Sequence, residues 1–89
     1  MKIRFSEEVY KKLFRVKRSN PVLYRLIKIK LELFENNSNH PSLRKHKLSG
    51  GMKESWSISI NRSIRMLYVE VNEGENYFFD IGKHEEVYK

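Results

Sequence analysis

The segment Asp80-Ile81-Gly82-Lys83-His84-Glu85-Glu86-Val87, with Tyr88 behind it, puts a histidine just past a strand-like stretch that ends in glycine. Imidazole is the side chain whose unperturbed titration lies nearest neutrality, so His84 can donate or accept a proton without a large environmental shift. A lone histidine proves little, and the elements that would surround it must make the case. The chain has two others, His40 and His46. His40 sits in a polar loop beside Pro41, where the sequence suggests no role. His46 stands among Arg44, Lys45 and Lys47 in a strand-like stretch.

Eighty-nine residues make a single domain, 1–89, with one core and no room for a deep cleft, so function is expected on a surface or in a shallow groove. The absence of cysteine rules out disulfides, thiolate metal sites and a thiol nucleophile. Three scattered histidines imply no metal, and no cofactor motif is present. The opening residues turn polar at Ser6, unlike a secretory signal, and no apolar run approaches the ~20 residues of a membrane span. A soluble, cytoplasmic protein is the expectation, with no membrane partner. Eighteen Lys and Arg against 11 Asp and Glu give +7. Residues 1–53 hold 14 basic and 4 acidic side chains, and residues 54–89 hold 4 and 7. That excess suits a polyanion or an acidic partner; solubility alone is the alternative.

Alternation predicts a first strand over Lys2–Phe5. Ser6 then caps a helix with Glu7 and Glu8 in its first turn. Val9, Tyr10, Leu13 and Phe14, with Val16 or its neighbour, form its inner face, leaving Lys11, Lys12, Arg15 and Arg18 outward. Ser19-Asn20-Pro21 stops one helix and starts another, whose inner face is Leu23, Leu26, Ile27, Leu31 and Phe34. A polar loop to Pro41 follows. The period then changes to that of strands: Leu43–Leu48, closed by Ser49-Gly50-Gly51; Trp56, Ile58 and Ile60 alternating with serines in a half-buried strand; a turn at 61–63; Ile64–Val71; a turn at 72–75; and Tyr77–Ile81. The expected fold class is α+β: an N-terminal strand, an antiparallel two-helix hairpin, then an antiparallel meander of about four strands, with the helices on one face and the other face left for a ligand.

This order, together with Leu43-Arg44-Lys45-His46-Lys47-Leu48-Ser49-Gly50, Ser55-Trp56-Ser57-Ile58, Arg65-Met66-Leu67-Tyr68 and the block from Asp80 to Tyr88, resembles the RelE/ParE toxin superfamily and within it the YafQ-like branch. The resemblance covers essentially the whole chain, and the Ile-Gly-x-His-x-x-Val-Tyr block is its most specific part. It implies the toxin half of a type II toxin–antitoxin pair. Toxins of the RelE and YafQ type are metal-independent mRNA endoribonucleases that work on the ribosome and are blocked by a cognate antitoxin wrapped around them, and the resemblance implies the same here. Its partners would then be that antitoxin, mRNA and ribosomal RNA. His84 matches the C-terminal histidine that YafQ-like enzymes use in proton transfer. His46 matches their second-strand histidine, and Arg65 the arginine that YoeB-like relatives place near the scissile phosphate. The acidic residue and further histidine of YafQ-type sites have no counterpart in the chain, Ser59 and Ser63 lying near their positions, and the YoeB-type glutamate is missing, with Ser42 near its place. The chain thus mixes two patterns.

Metal-free RNA cleavage needs a base for the 2′-hydroxyl, a cation for the phosphorane and an acid for the leaving 5′-oxygen. Two histidines and an arginine can supply all three. His84 is assigned to proton transfer as general acid, His46 to the complementary role and Arg65 to the phosphate; spacing leaves open which histidine is the base. Arg44, Lys45, Lys47, Arg62, Lys83 and Tyr88 are taken as RNA-contacting residues, and Lys11, Arg15 and Arg18 form a further basic stripe. Each has a structural rival. His84 could close a strand end, His46 could be a solvated edge residue, Arg65 could pair with Asp80 or Glu70, and Tyr88 could anchor the C-terminus. Trp56 could stack on a base, though its alternation with Ile58 and Ile60 favours the core. Two other functions share the scaffold: a ParE-like toxin that inhibits gyrase by binding, and a non-catalytic relative that retains only antitoxin binding.

Overall fold

The computed structural model describes residues 2–48 and 54–87. β1 (Lys2–Phe5) leads into α1 (Glu7–Ser19) and α2 (Pro21–Asn36). β2 (His46–Lys47), β3 (Trp56–Ser59), β4 (Ile64–Asn72) and β5 (Glu75–Lys83) follow, and a single-turn helix, α3 (His84–Val87), comes last.

The helices start and stop where their caps require. Ser6 Oγ accepts the Val9 amide at 3.1 Å, which satisfies one of the unpaired donors of the first turn of α1. Asn20 closes one helix and opens the next: its amide donates to the Val16 carbonyl, and its Oδ1 accepts from the Leu23 amide at 3.2 Å. Pro21 then occupies the first position of α2, where its missing N–H costs nothing. A one-residue junction of this kind fixes how the two helices meet.

The sheet order is β1-β5-β4-β3-β2. β2 to β5 form the expected antiparallel meander, and β1 pairs in parallel with β5 along the far edge. The helices cover one face. Val9, Leu13, Ile27 and Phe34 bury themselves against Ile58, Met66, Tyr68, Phe78 and Ile81, with edge-to-face contacts from Phe34 to Tyr68 (5.0 Å) and Phe78 (5.3 Å). Trp56, opposite Tyr68, packs against this cluster. Its ring therefore belongs to the helix side of the sheet.

Five expectations are corrected. Tyr10 and Phe14 are 61% and 62% exposed, because Val9, Leu13 and Val16 already fill the inner stripe of α1 and the next residue falls about 100° round the helix. Lys12, expected to point outward, is half-buried and bonds to β5. The strand expected over Leu43–Leu48 shrinks to His46–Lys47: Pro41–Leu43 instead forms a 3₁₀ turn, which Pro41 favours by its fixed φ, and Arg44 closes it in the left-handed region at φ 47°. His40, given no role above, caps that turn, its Nδ1 accepting the Ser42 amide at 3.1 Å. Finally, β3 is buried on both faces, since Ser57 and Ser59 are buried as well as Ile58. The Ser49-Gly50-Gly51 turn and Tyr88 lie outside the described residues.

Candidate active site

Strand register decides which side chains share the face opposite the helices. One cross-strand row reads His46, Ser57, Leu67, Asp80; the next reads Ser59, Arg65, Gly82. Leu67 is buried yet stands outside the helix-side core, so it forms an apolar floor between the polar members of the first row. In that row His46 Nδ1 lies 3.2 Å from Ser57 Oγ. The hydroxyl can donate to the ring or accept from it, so this contact is open to either histidine tautomer.

The second row ends in the turn between β3 and β4, and that turn is the best-organised part of the face. Its successive carbonyls all point at candidate residues. Arg65 Nη1 donates to the carbonyls of Asn61 (2.6 Å), Arg62 (3.1 Å) and Ile64 (3.2 Å). The Ser63 carbonyl accepts the His84 amide at 2.9 Å. Arg65 is thus anchored by one terminal nitrogen, and its Nε and Nη2 have no hydrogen-bond partner among the described residues. That edge of the guanidinium is a two-donor fork matched to a phosphate. Gly82, directly opposite Arg65, presents no side chain beside it.

Asn61 builds the turn. Its Oδ1 accepts the amides of Ser63 (2.9 Å) and Ile64 (2.8 Å), while its carbonyl takes the Ser59 hydroxyl (2.8 Å) besides Arg65. Two donors on one carbonyl are accommodated by its two lone pairs. Sequence reading placed a turn here without seeing this function, although Asn at the start of a turn, with a side chain that bonds its own backbone two residues on, was a usable signal.

The structure therefore brings Arg65 and His84 to adjacent positions and leaves His46 two strand spacings from Arg65, about 10 Å across the sheet. His84 is exposed at the first residue of α3, beyond Lys83, which still belongs to β5. The suggested pairing of Arg65 with Asp80 or Glu70 does not occur: Asp80 Oδ1 instead accepts from Lys12 Nζ at 3.2 Å. Ser42, at the glutamate position of the resemblance, bonds through Oγ to His40 Nδ1 at 3.0 Å.

The basic candidates are dispersed. Lys45 and Lys47 flank His46 in sequence but alternate with it on the strand, so neither shares its face. Lys45 Nζ sits 4.9 Å from the Trp56 ring centroid, and Lys47 pairs with Glu54 at 2.9 Å. Lys45, Arg44, Asn39, His40, Pro41 and Trp56 line a cleft of about 380 Å³ around the edge of β2. Arg62 projects exposed from the turn next to Arg65, and Lys83 is exposed on β5 opposite Ile64. Among the described residues no cluster of three or more His, Asp or Glu is placed to hold a metal ion, and no helix is long and apolar enough to cross a membrane.

No family model and no curated protein sequence matches the chain significantly. Solved structures do match over nearly the full length. A YoeB/ParE toxin from Agrobacterium tumefaciens superposes with a TM-score of 0.80 at 16% identity, covering 94% of this chain and 99% of its own. The YoeB-YefM complex from Staphylococcus aureus gives 0.78 at 18%, covering 94% and 97%. The DinJ-YafQ complex from E. coli gives 0.76 at 16%, covering 98% and 97%. At these identities the likeness is one of architecture. The chain has the RelE/ParE toxin fold in the form shared by YoeB and YafQ.

Proposed function

We propose that this protein is the toxin of a toxin–antitoxin pair and cleaves mRNA on the ribosome without a metal. Arg65 binds the scissile phosphate through Nε and Nη2, and His84, its neighbour across the turn, protonates the leaving 5′-oxygen. His46, two strands away, takes the 2′-hydroxyl proton. Because His46 and Arg65 are separated by about 10 Å of sheet, the side chains reach a common linkage only by converging over Leu67, whose apolar floor strengthens each charge interaction above it. The observation that supports this reading is the pair of bonds, Arg65 Nη1 to the Asn61 carbonyl and His84 amide to the Ser63 carbonyl, which tie the Arg65 guanidinium and the His84 backbone to the same turn. The antitoxin is the partner implied by the complexes of YoeB with YefM and of YafQ with DinJ. A net charge of +7 suits both an acidic wrapping segment and RNA.

The test is controlled expression of wild type and His84→Ala in a bacterial host, with growth followed and mRNA 5′ ends mapped. New in-frame cuts and growth arrest with the wild type, and neither with His84→Ala, support the reading. Equal arrest without cuts would transfer it to a gyrase-binding toxin, and no arrest with either to a non-catalytic relative.

A further inference from the structure

We propose that Asn61 is a positioning residue for the reaction, holding Arg65 and His84 in register through the turn it builds. This rests on the roles just given to those two residues. The side chain of Asn61 touches neither of them. Its Oδ1 bonds the Ser63 and Ile64 amides, and this pins the peptide groups whose carbonyls face outward. The carbonyls of Asn61, Arg62 and Ile64 then take Arg65 Nη1, and that of Ser63 takes the His84 amide. One acceptor oxygen thus fixes the two peptide groups that carry the Arg62 and Ser63 carbonyls, one bonded to Arg65 and the other to the His84 amide. Ser59 adds a brace to the Asn61 carbonyl at 2.8 Å from a site only 7% exposed, where a hydroxyl must find a partner. The turn is also closed by the Ile60 amide on the Ile64 carbonyl at 2.9 Å, so strand pairing survives loss of the Asn61 side chain. What that loss frees is the orientation of the two candidate residues relative to each other.

The orienting effect is separable from binding and from folding. Asn61→Ala deletes Oδ1, whereas Asn61→Asp keeps an acceptor oxygen in the same place. Single-turnover cleavage of mRNA on programmed ribosomes is measured for wild type and both variants, at temperatures where thermal melting shows all three folded. The expected result is a cleavage rate at least about tenfold lower in Asn61→Ala, with half-saturation changed less than about twofold, and recovery of most of that loss in Asn61→Asp. A rate equal to wild type in Asn61→Ala, or no recovery in Asn61→Asp, overturns the proposal. Amide hydrogen exchange provides a readout that needs no activity: the His84 amide exchanges faster in Asn61→Ala, while those of Met66 and Ile81 do not. If the wild type does not cleave mRNA, the ribonuclease reading fails. An unchanged His84 amide in Asn61→Ala defeats this inference whatever the activity.

Discussion

Lys12, on the first helix, reaches the end of the last strand with one ammonium group: Nζ lies 3.2 Å from Asp80 Oδ1 and 3.2 Å from the Ile81 carbonyl. Asp80 opens the block that carries His84, and its Oδ1 also accepts the Ile81 amide at 2.9 Å. Asp80, offered by the sequence as a partner for Arg65, instead ties β5 to α1, two residues before Gly82 stands opposite Arg65.

Replacing that ammonium therefore tests a structural link. Lys12 and Asp80 are 36% and 31% exposed, so solvent screens the ion pair, and the bond to the carbonyl adds a similar modest amount. Lys12→Met, which keeps the apolar stem, is expected to destabilise by about 1 kcal/mol and to lower the melting temperature by roughly 4–8 °C. The difference should shrink at high salt. Denaturant melts of both proteins at low and high ionic strength check this, and a salt-independent loss would assign the effect to packing.

Much of this fold was legible because its signals are local. The Asn20-Pro21 junction and the alternation of Trp56, Ile58 and Ile60 need only neighbouring residues to be read. The parallel pairing of β1 with β5 was not legible, since it joins residues some 70 positions apart that carry no mark of each other. The site divides in the same way. The sequence points to His84, His46 and Arg65 as residues, but their spacing in space depends on register: Arg65 opposite Gly82 brings His84 near, and His46 opposite Ser57 keeps it two strands off. The serine face of β3 misled for a related reason, because polar residues on alternate positions look solvated when only one strand is seen.

Arg65 divides its donors between two tasks, and lysine cannot. Nη1 holds the turn while Nε and Nη2 have no hydrogen-bond partner among the described residues, whereas an ammonium is one point of charge that can satisfy the carbonyls or a phosphate. Arg65→Lys should fold with near-wild-type stability and cleave programmed mRNA about 10²–10³-fold more slowly, the loss expected for removing transition-state charge stabilisation. Cleavage within a few-fold of wild type would show that the fork is not used.

Tyr68 predicts an alkaline weakness. It is 2% exposed, and burial, with a smaller contribution from Glu70, pushes its phenol up to about 12 from 10.0. The folded state thus holds this proton more tightly than the unfolded chain, so the stabilisation is whole below about pH 10 and is lost as pH rises toward about 12. Two units correspond to about 2–3 kcal/mol at most. Other lysines and tyrosines titrate in the same window, so the comparison is with Tyr68→Phe. Between about pH 9 and pH 11.5 the wild type should lose about 2 kcal/mol more than the variant in denaturant melts. Parallel losses would mean that the phenolate escapes burial.

Ser57 is fully buried beneath an exposed His46, and the 3.2 Å contact between them fixes the ring by its Nδ1. A neutral hydrogen bond of this kind is worth about 1 kcal/mol, or roughly fivefold in rate if it acts only by orienting the imidazole. Ser57→Ala removes the hydroxyl with little change of volume, and water can reach the exposed ring in its place, so stability should change by less than about 1 kcal/mol. Cleavage should slow about fivefold in Ser57→Ala and far more in His46→Ala, which loses the proton-transfer group itself. The double variant separates the two accounts of His46. If Ser57 acts through the imidazole, adding Ser57→Ala to His46→Ala costs nothing further. If the two losses multiply instead, the hydroxyl acts independently of the imidazole; if His46→Ala alone cleaves like wild type, His46 is an edge residue that solvent could have replaced.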